Sequence, residues 1–296
     1  MHAVFIKALS RTLSLFPLSI LHKLGTITGF ILLILPNKTK HIASANIKHC
    51  FPTKTTREQK TLLQDTLIET AKTFMEASAF WYWPEKKLRG LLHETSSTLP
   101  LKRSILEGKG AIVITPHIGA WEIVGLYCAQ LNPITAMYRP PRQAALGPII
   151  KQARERLGLK LAATDQNGIR ALSRALKQHE IIGILPDQDP GQNGGVFANF
   201  FGKPANTMTL VSRLAIKTQC PAFFVYAERL DQGRGYSIHC IEAPAELSNG
   251  TIEQSTSSLN KTIESCANHI PSQYQWGYKR FKNQPEGMPD IYRNKN

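Results

Sequence analysis

His117 and Glu122 stand five positions apart in Thr115-Pro-His-Ile-Gly-Ala-Trp-Glu122, directly after the β-branched run Ile112-Val-Ile114. A neutral imidazole with a carboxylate on one ring nitrogen is the usual general base. The same spacing also suits a turn histidine beside a surface glutamate, so the neighbouring residues must decide. A second polar cluster, Pro186-Asp187-Gln188-Asp189, ends the apolar run Ile181 to Leu185 and is followed by Pro190, Gly191, Gly194 and Gly195. Alone, it would be an Asx turn closing a strand. Beside the His117 loop at one sheet edge, it becomes the rim of a site.

Basic residues surround these clusters. Arg139 and Arg142 lie in Tyr138-Arg-Pro-Pro-Arg142, and Arg154 and Arg156 fall on the helical segment that follows. Arginine offers a planar fork for phosphate or carboxylate, although a helical arginine is most often solvated. Near the carboxyl terminus, Gln275-Trp-Gly-Tyr-Lys279-Arg280-Phe-Lys282 interleaves bases with aromatics. That tail could stack single-stranded nucleic acid, grip a phosphorylated sugar or lie on a membrane. It could also be a packed terminal segment with its charges in water. Phe197, Phe200 and Phe201 could wall an apolar pocket before a helix beginning near Met208, whose amino terminus would face an anion. The plainer reading makes Asn206 or Thr207 the cap of that helix.

The elements that must position these residues alternate. Strands are expected at 111–115, 133–139, 180–185, 221–227 and 236–242, and helices at 121–131, 145–157, 167–178, 207–218 and 251–269. Such alternation predicts an α/β fold with a mainly parallel central sheet and helices on both faces. His117 and Asp187 then fall at the carboxyl ends of strands, where open α/β sheets bind ligands. A helical front precedes the core: Leu62, Leu63, Leu67, Ile68, Ala71, Phe74 and Met75 recur at helical spacing, ending in Phe80-Trp-Tyr-Trp83. That aromatic end suits either packing or a membrane interface.

The amino-terminal stretch from Phe16 to Pro36 is almost wholly apolar. Lys23 leaves it short of the about 20 residues a spanning helix wants, so an interfacial helix fits as well as a span. The expected organisation is an apolar membrane anchor over 1–40 and a catalytic domain over 41–296, with a helical front at 41–95 and an α/β core at 96–296. A cleavable signal ending at Ala43-Ser-Ala45 is disfavoured, because Lys38, Lys40 and His41 interrupt its neutral region.

A net charge of +15 over 296 residues calls for an anionic partner: nucleic acid, a membrane face, a phosphorylated substrate or an acidic carrier. Five cysteines without a CxxC pair read as reduced core residues. No HExxH, Walker A loop, GxGxxG or G-x-S-x-G is present, which argues against metal, nucleotide-cofactor and serine-nucleophile chemistry.

In order, His117-Ile-Gly-Ala-Trp-Glu122, Tyr138-Arg-Pro, Arg154-Glu-Arg156, Pro186-Asp-Gln-Asp189, Phe200-Phe-Gly-Lys-Pro-Ala205 with Thr207, and Arg280-Phe-Lys282 with Pro285-Glu-Gly287 resemble the lipid A secondary (late) acyltransferases, lauroyl and myristoyl transferases of Gram-negative bacteria. The resemblance spans most of the chain and reaches the wider lysophospholipid acyltransferase-like superfamily. It implies transfer of a fatty acyl chain from acyl carrier protein to a hydroxyl of a phosphorylated glucosamine-based lipid A precursor. It also implies an inner-membrane protein with its catalytic domain on the cytoplasmic face. His117 would be the general base and Glu122 would orient and support its imidazolium. Arg154 would bind near the reacting centre, Asp187 and Gln188 would shape the pocket, and Arg139, Arg156, Lys279 and Arg280 would meet substrate. No acyl-enzyme, metal or cofactor is implied. The partners would be acyl carrier protein, the lipid A precursor and the anionic inner membrane, with no nucleic acid.

The sequence departs from the family after Tyr138-Arg-Pro, where Gln143, Ala144 and Gly147 stand in place of an Asn-Pro and an Asp, and at Tyr278, where relatives often carry histidine. These changes bear on the acceptor more than on the chemistry. Acylation of another glycolipid, an aminolipid or a lysophospholipid is the near alternative. A basic nucleic-acid-binding protein would explain the charge but not the apolar amino terminus. A metal-dependent hydrolase would use His117, Glu122, Asp187 and Asp189 as ligands.

Overall fold

The computed structural model describes residues 2–141, 146–192 and 194–293. Arg142, Gln143 and Ala144 lie outside them. Helices α1 (His2–Leu13), α2 (Leu18–Ile34), α3 (Lys38–Cys50) and α4 (Thr56–Tyr82) form the front. Thr55 starts α4 through a reciprocal box: its hydroxyl accepts from the Glu58 N–H, and its own N–H donates to the Glu58 carboxylate. A short helix α5 (Glu85–Arg89) leads into the sheet. Phe80 and Trp83, at the aromatic end of α4, are buried, so packing rather than a lipid interface accounts for them.

The core alternates as β1 (Leu92–Glu94), α6 (Leu99–Leu106), β2 (Ala111–Ile114), α7 (Trp121–Ala129), β3 (Ile134–Tyr138), α8 (Gly147–Arg156), β4 (Leu159–Ala163), α9 (Gln166–Lys177) and β5 (Ile181–Ile184). A hairpin, β6 (Gly195–Phe200) and β7 (Lys203–Met208), then precedes α10 (Leu210–Thr218), β8 (Ala222–Arg229), β9 (Tyr236–Glu242), α11 (Glu246–Asn249) and α12 (Ile252–His269). The main sheet has the order β1-β9-β8-β2-β5-β3-β4. It is parallel from β8 to β4, while β9 pairs antiparallel with β8. The expected mainly parallel α/β sheet, covered on both faces, is therefore present. One face packs α9, α10 and α12 around Ile112, Ile114 and Phe224. The other packs α2, α7 and the end of α4 around Val113, Ile134 and Val225.

Sequence periodicity missed β1, β4 and the hairpin, which are short or only partly buried and so lack a clear apolar alternation. It also placed a helix from 207. Asn206 and Thr207 instead belong to β7 and cap nothing. The phenylalanines of the hairpin point elsewhere than expected. Phe200 is fully buried, Phe201 packs edge-on against Phe51 and Trp276, and Phe197 is half exposed.

The apolar α2 is seated on α4. Carbons built at Gly25 and Gly29 would approach the backbone of Lys72 and Ile68 to 2.7 and 2.4 Å, so only glycine allows this approach. His22 reaches across the seam to Glu76, which also binds Arg229 and the Tyr236 hydroxyl. Burial opposes charge on Glu76, but the Arg229 guanidinium and His22 hold its carboxyl well below the usual range. The opposite face of α2 is uncovered: Ile27, Phe30, Ile31, Ile34 and Leu35 are exposed, as is Phe74 of α4. Among the described residues, no single helix is long and apolar enough to cross a membrane. The pair α2 and α3 passes by length and composition only with an 81° bend between them.

Candidate active site

Strand β2 is buried along its whole length and is followed by Thr115-Pro116. The next residues turn sharply. Gly119 has φ +57°, and a β-carbon there would lie 2.1 Å from the Ala227 carbonyl oxygen, so the turn requires glycine. The Gly119 N–H donates to the Gln273 carbonyl (3.0 Å), the Ala120 N–H to Ala227 (2.9 Å) and the Gln275 N–H to the His117 carbonyl (3.0 Å). The loop carrying His117 is thus tied on both sides.

β5 ends beside it and supplies Asp187. One carboxylate oxygen accepts the His117 main-chain N–H at 2.9 Å, and the other lies 2.7 Å from His117 Nδ1. A carboxylate can only accept, so Nδ1 is the donor, and in the neutral ring Nε2 is left with a lone pair. Burial opposes charge on Asp187. Attraction and hydrogen bonds from His117, with a further contribution from Arg280, outweigh it and hold the carboxyl below its ordinary range. The Gln188 amide nitrogen sits 3.2 Å from His117 Nε2 and donates to Gln275 Oε1 at 3.0 Å. The Trp121 ring lies 5.2 Å from the imidazole, tilted by 59°.

Glu122, expected to orient His117, binds Arg154 instead. Arg154 Nε donates to one carboxylate oxygen at 3.0 Å and Nη2 to the other. Burial works against the Arg154 charge, yet Glu122 more than offsets it and holds the guanidinium above its ordinary pKa. The structure therefore corrects the partner of His117, which is Asp187. A carboxylate five residues on, inside the first turn of α7, faces α8 rather than doubling back to the loop.

The basic residues divide. Arg139 and Arg154 line the cavity at His117. Arg156 does not: it donates to the carbonyls of Trp83 and Phe80 at 2.9 and 3.1 Å, closing the end of α4. Arg280 is buried and donates to the Asn206 carbonyl, the Thr207 hydroxyl and the Asn260 side chain. Both were expected to meet substrate; in the structure their guanidinium groups bond these carbonyls and side chains of the scaffold. Lys279 is exposed beside the Tyr292 ring. Asp189 also serves the scaffold, accepting from Gly191, Asn206 and Asn283. Among the described residues, no three His, Cys, Asp or Glu side chains converge as a metal site.

A cavity of about 580 Å³ opens at these residues. It bends around the strand tips. One limb runs beneath α7, between Val124, Gly125 and Cys128 of the helix and Val113, Gly183, Ala136, Ile134 and Leu159 of the sheet. Its walls are almost wholly apolar and buried. The other limb lies over the opposite face at Met137, Ile169, Met208 and Leu210 and is more open. The limbs meet at His117, Glu122, Arg154 and Gln188. The meeting point is legible in the sequence, whereas the place of Gln275 in it and the limb under α7, whose residues look like ordinary helix core, are not.

The sequence matches a family profile described as bacterial lipid A biosynthesis acyltransferase over residues 2–283. It is similar to the lipid A biosynthesis palmitoleoyltransferase of Escherichia coli (strain K12), with 27% identity over 280 residues, covering 93% of this chain and 89% of the relative. The lauroyltransferase of lipid A biosynthesis from the same organism is 26% identical over 280 residues, covering 93% and 90%. A lipid A biosynthesis acyltransferase of Haemophilus influenzae (strain ATCC 51907 / DSM 11121 / KW20 / Rd) is 26% identical over 294 residues, covering 96% and 92%.

Proposed function

Since the chain belongs to the bacterial lipid A biosynthesis acyltransferase family and is an acyltransferase, we propose that it moves a fatty acyl chain from acyl carrier protein to a hydroxyl of a phosphorylated glucosamine-based lipid A precursor. The observation that carries this reading is the His117–Asp187 pair, with Nε2 turned away from the carboxylate at the junction of the two cavity limbs. His117 Nε2 takes the acceptor hydroxyl's proton as its oxygen attacks the thioester carbonyl. The new C–O bond forms, the tetrahedral centre collapses, the C–S bond breaks, and the imidazolium returns its proton to the departing thiolate. Positioned proton transfer of this kind contributes about 10²–10⁴-fold in rate. Asp187 holds the ring in its basic tautomer and stabilises the imidazolium. Arg154, oriented by Glu122, offers its remaining guanidinium N–H donors to the thioester oxyanion or to an acceptor phosphate. The reaction needs no acyl-enzyme, metal or cofactor.

The positive net charge suits both an acidic carrier protein and an anionic membrane. The uncovered apolar face of α2, with the other face seated on α4, supports a protein lying in one leaflet rather than hanging from a span. We assign it to the cytoplasmic side of the inner membrane. The test incubates purified protein with acyl-acyl carrier protein and a lipid A precursor and reads the product by mass spectrometry. One added acyl chain is expected, and none with His117→Ala. Undiminished transfer by a folded His117→Ala protein would overturn the mechanism, and lack of transfer by the wild type would overturn the substrate assignment.

A further inference from the structure

The limb under α7 is lined by buried side chains away from His117. Val113, Val124, Cys128 and Ile134 are each 2% exposed or less, and Leu159 only 7%. From Trp121 at the mouth to Cys128 at the far end is seven residues of helix, about 10 Å at 1.5 Å per residue. No charged side chain lines this stretch. The one thiol, Cys128, has its pKa pushed up by burial and serves as a small apolar wall. Such a limb admits a hydrocarbon and nothing that must hydrogen-bond.

Two glycines set its bore, one from the helix and one from the sheet. At Gly183 a β-carbon would make only ordinary contacts, 3.5 Å to Ile134 Cδ1 and 3.6 Å to Ala136 Cβ. Packing does not require glycine there; its absence of a side chain leaves room in the limb. At Gly125 a β-carbon would come within 2.6 Å of Leu159 Cδ2 and would displace that flexible side chain. Gly125 therefore allows Leu159 to lie over the far end of the limb.

We infer that Leu159, seated over Gly125, with Gly183 opposite, determines the acyl chain length this enzyme accepts. The inference rests on the acyl-transfer reading and goes beyond it by naming the residues that select the donor. While a chain still has limb to fill, each methylene raises affinity about fourfold. Once its end meets Leu159, Cys128 and Ile134, a longer chain must displace packed side chains, and affinity falls.

The experiment titrates the purified protein with laurate, myristate, palmitate and stearate by calorimetry, so that neither carrier protein nor acceptor is needed. The wild type should climb with length to one optimum and drop at least about tenfold at the next member of the series. Leu159→Ala should move the optimum to a longer chain, and Gly125→Ala and Gly183→Val to a shorter one. Ile31→Ser, on the exposed face of α2, should leave it unchanged and so controls for binding outside the limb. Gly183→Ala, which fits the packing, carries the test should the larger variants fail to fold; it too should disfavour the longest chain bound. An optimum that stays at one length in all folded variants, or the lack of any optimum, overturns the inference. Failure of transfer to a lipid A precursor would leave these titrations standing, whereas successful transfer with an unmoved optimum would refute the length assignment alone.

Discussion

Asp187→Asn tests the pairing that organises the site. The carboxylate accepts two donors from one residue, the His117 main-chain N–H at 2.9 Å and the Nδ1–H at 2.7 Å. A carboxamide of the same shape has one accepting oxygen and one donating nitrogen, so it cannot satisfy both. If its oxygen keeps the main-chain N–H, its NH₂ faces Nδ1 and favours the tautomer in which Nε2 carries the proton. That tautomer cannot act as a base. The equivalent exchange in Ser-His-Asp enzymes lowers turnover by about 10⁴-fold, close to 5 kcal/mol of barrier. Single-turnover transfer measured at saturating donor should show a loss of that order, with the urea midpoint reporting that the fold survives. Because the two groups act as a unit, His117→Ala with Asp187→Asn should be no slower than His117→Ala alone. Glu122→Gln, which weakens only the hold on Arg154, should cost about 10²-fold through misplacement. If Asp187→Asn stays within about tenfold of wild type while Glu122→Gln is inactive, Glu122 rather than Asp187 serves the histidine, and the assignment made from the geometry fails.

Glu76→Gln breaks a buried ion pair and leaves the Arg229 guanidinium with Glu69 as its remaining carboxylate; urea denaturation should register a loss of about 3 kcal/mol. The same residue predicts acid sensitivity: its folded pKa is depressed, so its contribution is complete above the ordinary carboxylate range and fades as pH falls below it. Thermal melts should accordingly lose stability more steeply on acidification in the wild type than in Glu76→Gln. Ile31→Ser combined with Ile34→Ser should weaken co-sedimentation with anionic vesicles more than tenfold, since each isoleucine contributes about 1.5–3 kcal/mol when fully buried, while leaving the urea midpoint in place; unchanged sedimentation would refute the lipid-facing role of α2.

Much of the fold was legible because its central strands are continuous β-branched runs ending in polar residues, as at Ile112 to His117 and Ile181 to Asp187. β9 was legible as a strand but not in its reversed direction, and the short β1 and the hairpin were not legible, since strand direction and pairing across a sheet leave no local periodicity. Proximity along the chain misled at the site itself. Glu122 is five residues from His117 and the resemblance assigns it to the imidazole, yet the carboxylate bonded to the ring comes from 70 residues on, delivered by the neighbouring parallel strand. Arg156 and Arg280 show the converse problem. A basic side chain reads as a ligand contact unless the carbonyls it closes are visible, and those belong to α4 and β7. The family assignment drawn from six ordered motifs needed no such geometry, and the profile match over residues 2–283 shows it.

The glycine seam between α2 and α4 changes what an amino-terminal truncation would do. Leu18, Leu21 and His22 are buried in the same packed body as the sheet. Deleting residues 1–40 would therefore not release a tethered globule. It would uncover the α4 groove shaped to Gly25 and Gly29, strip Glu76 of one of its donors, and expose apolar surface on the side where Arg229 and Gln273 brace the His117 turn. Solubility gained by removing an oily helix would come at the cost of a new oily face.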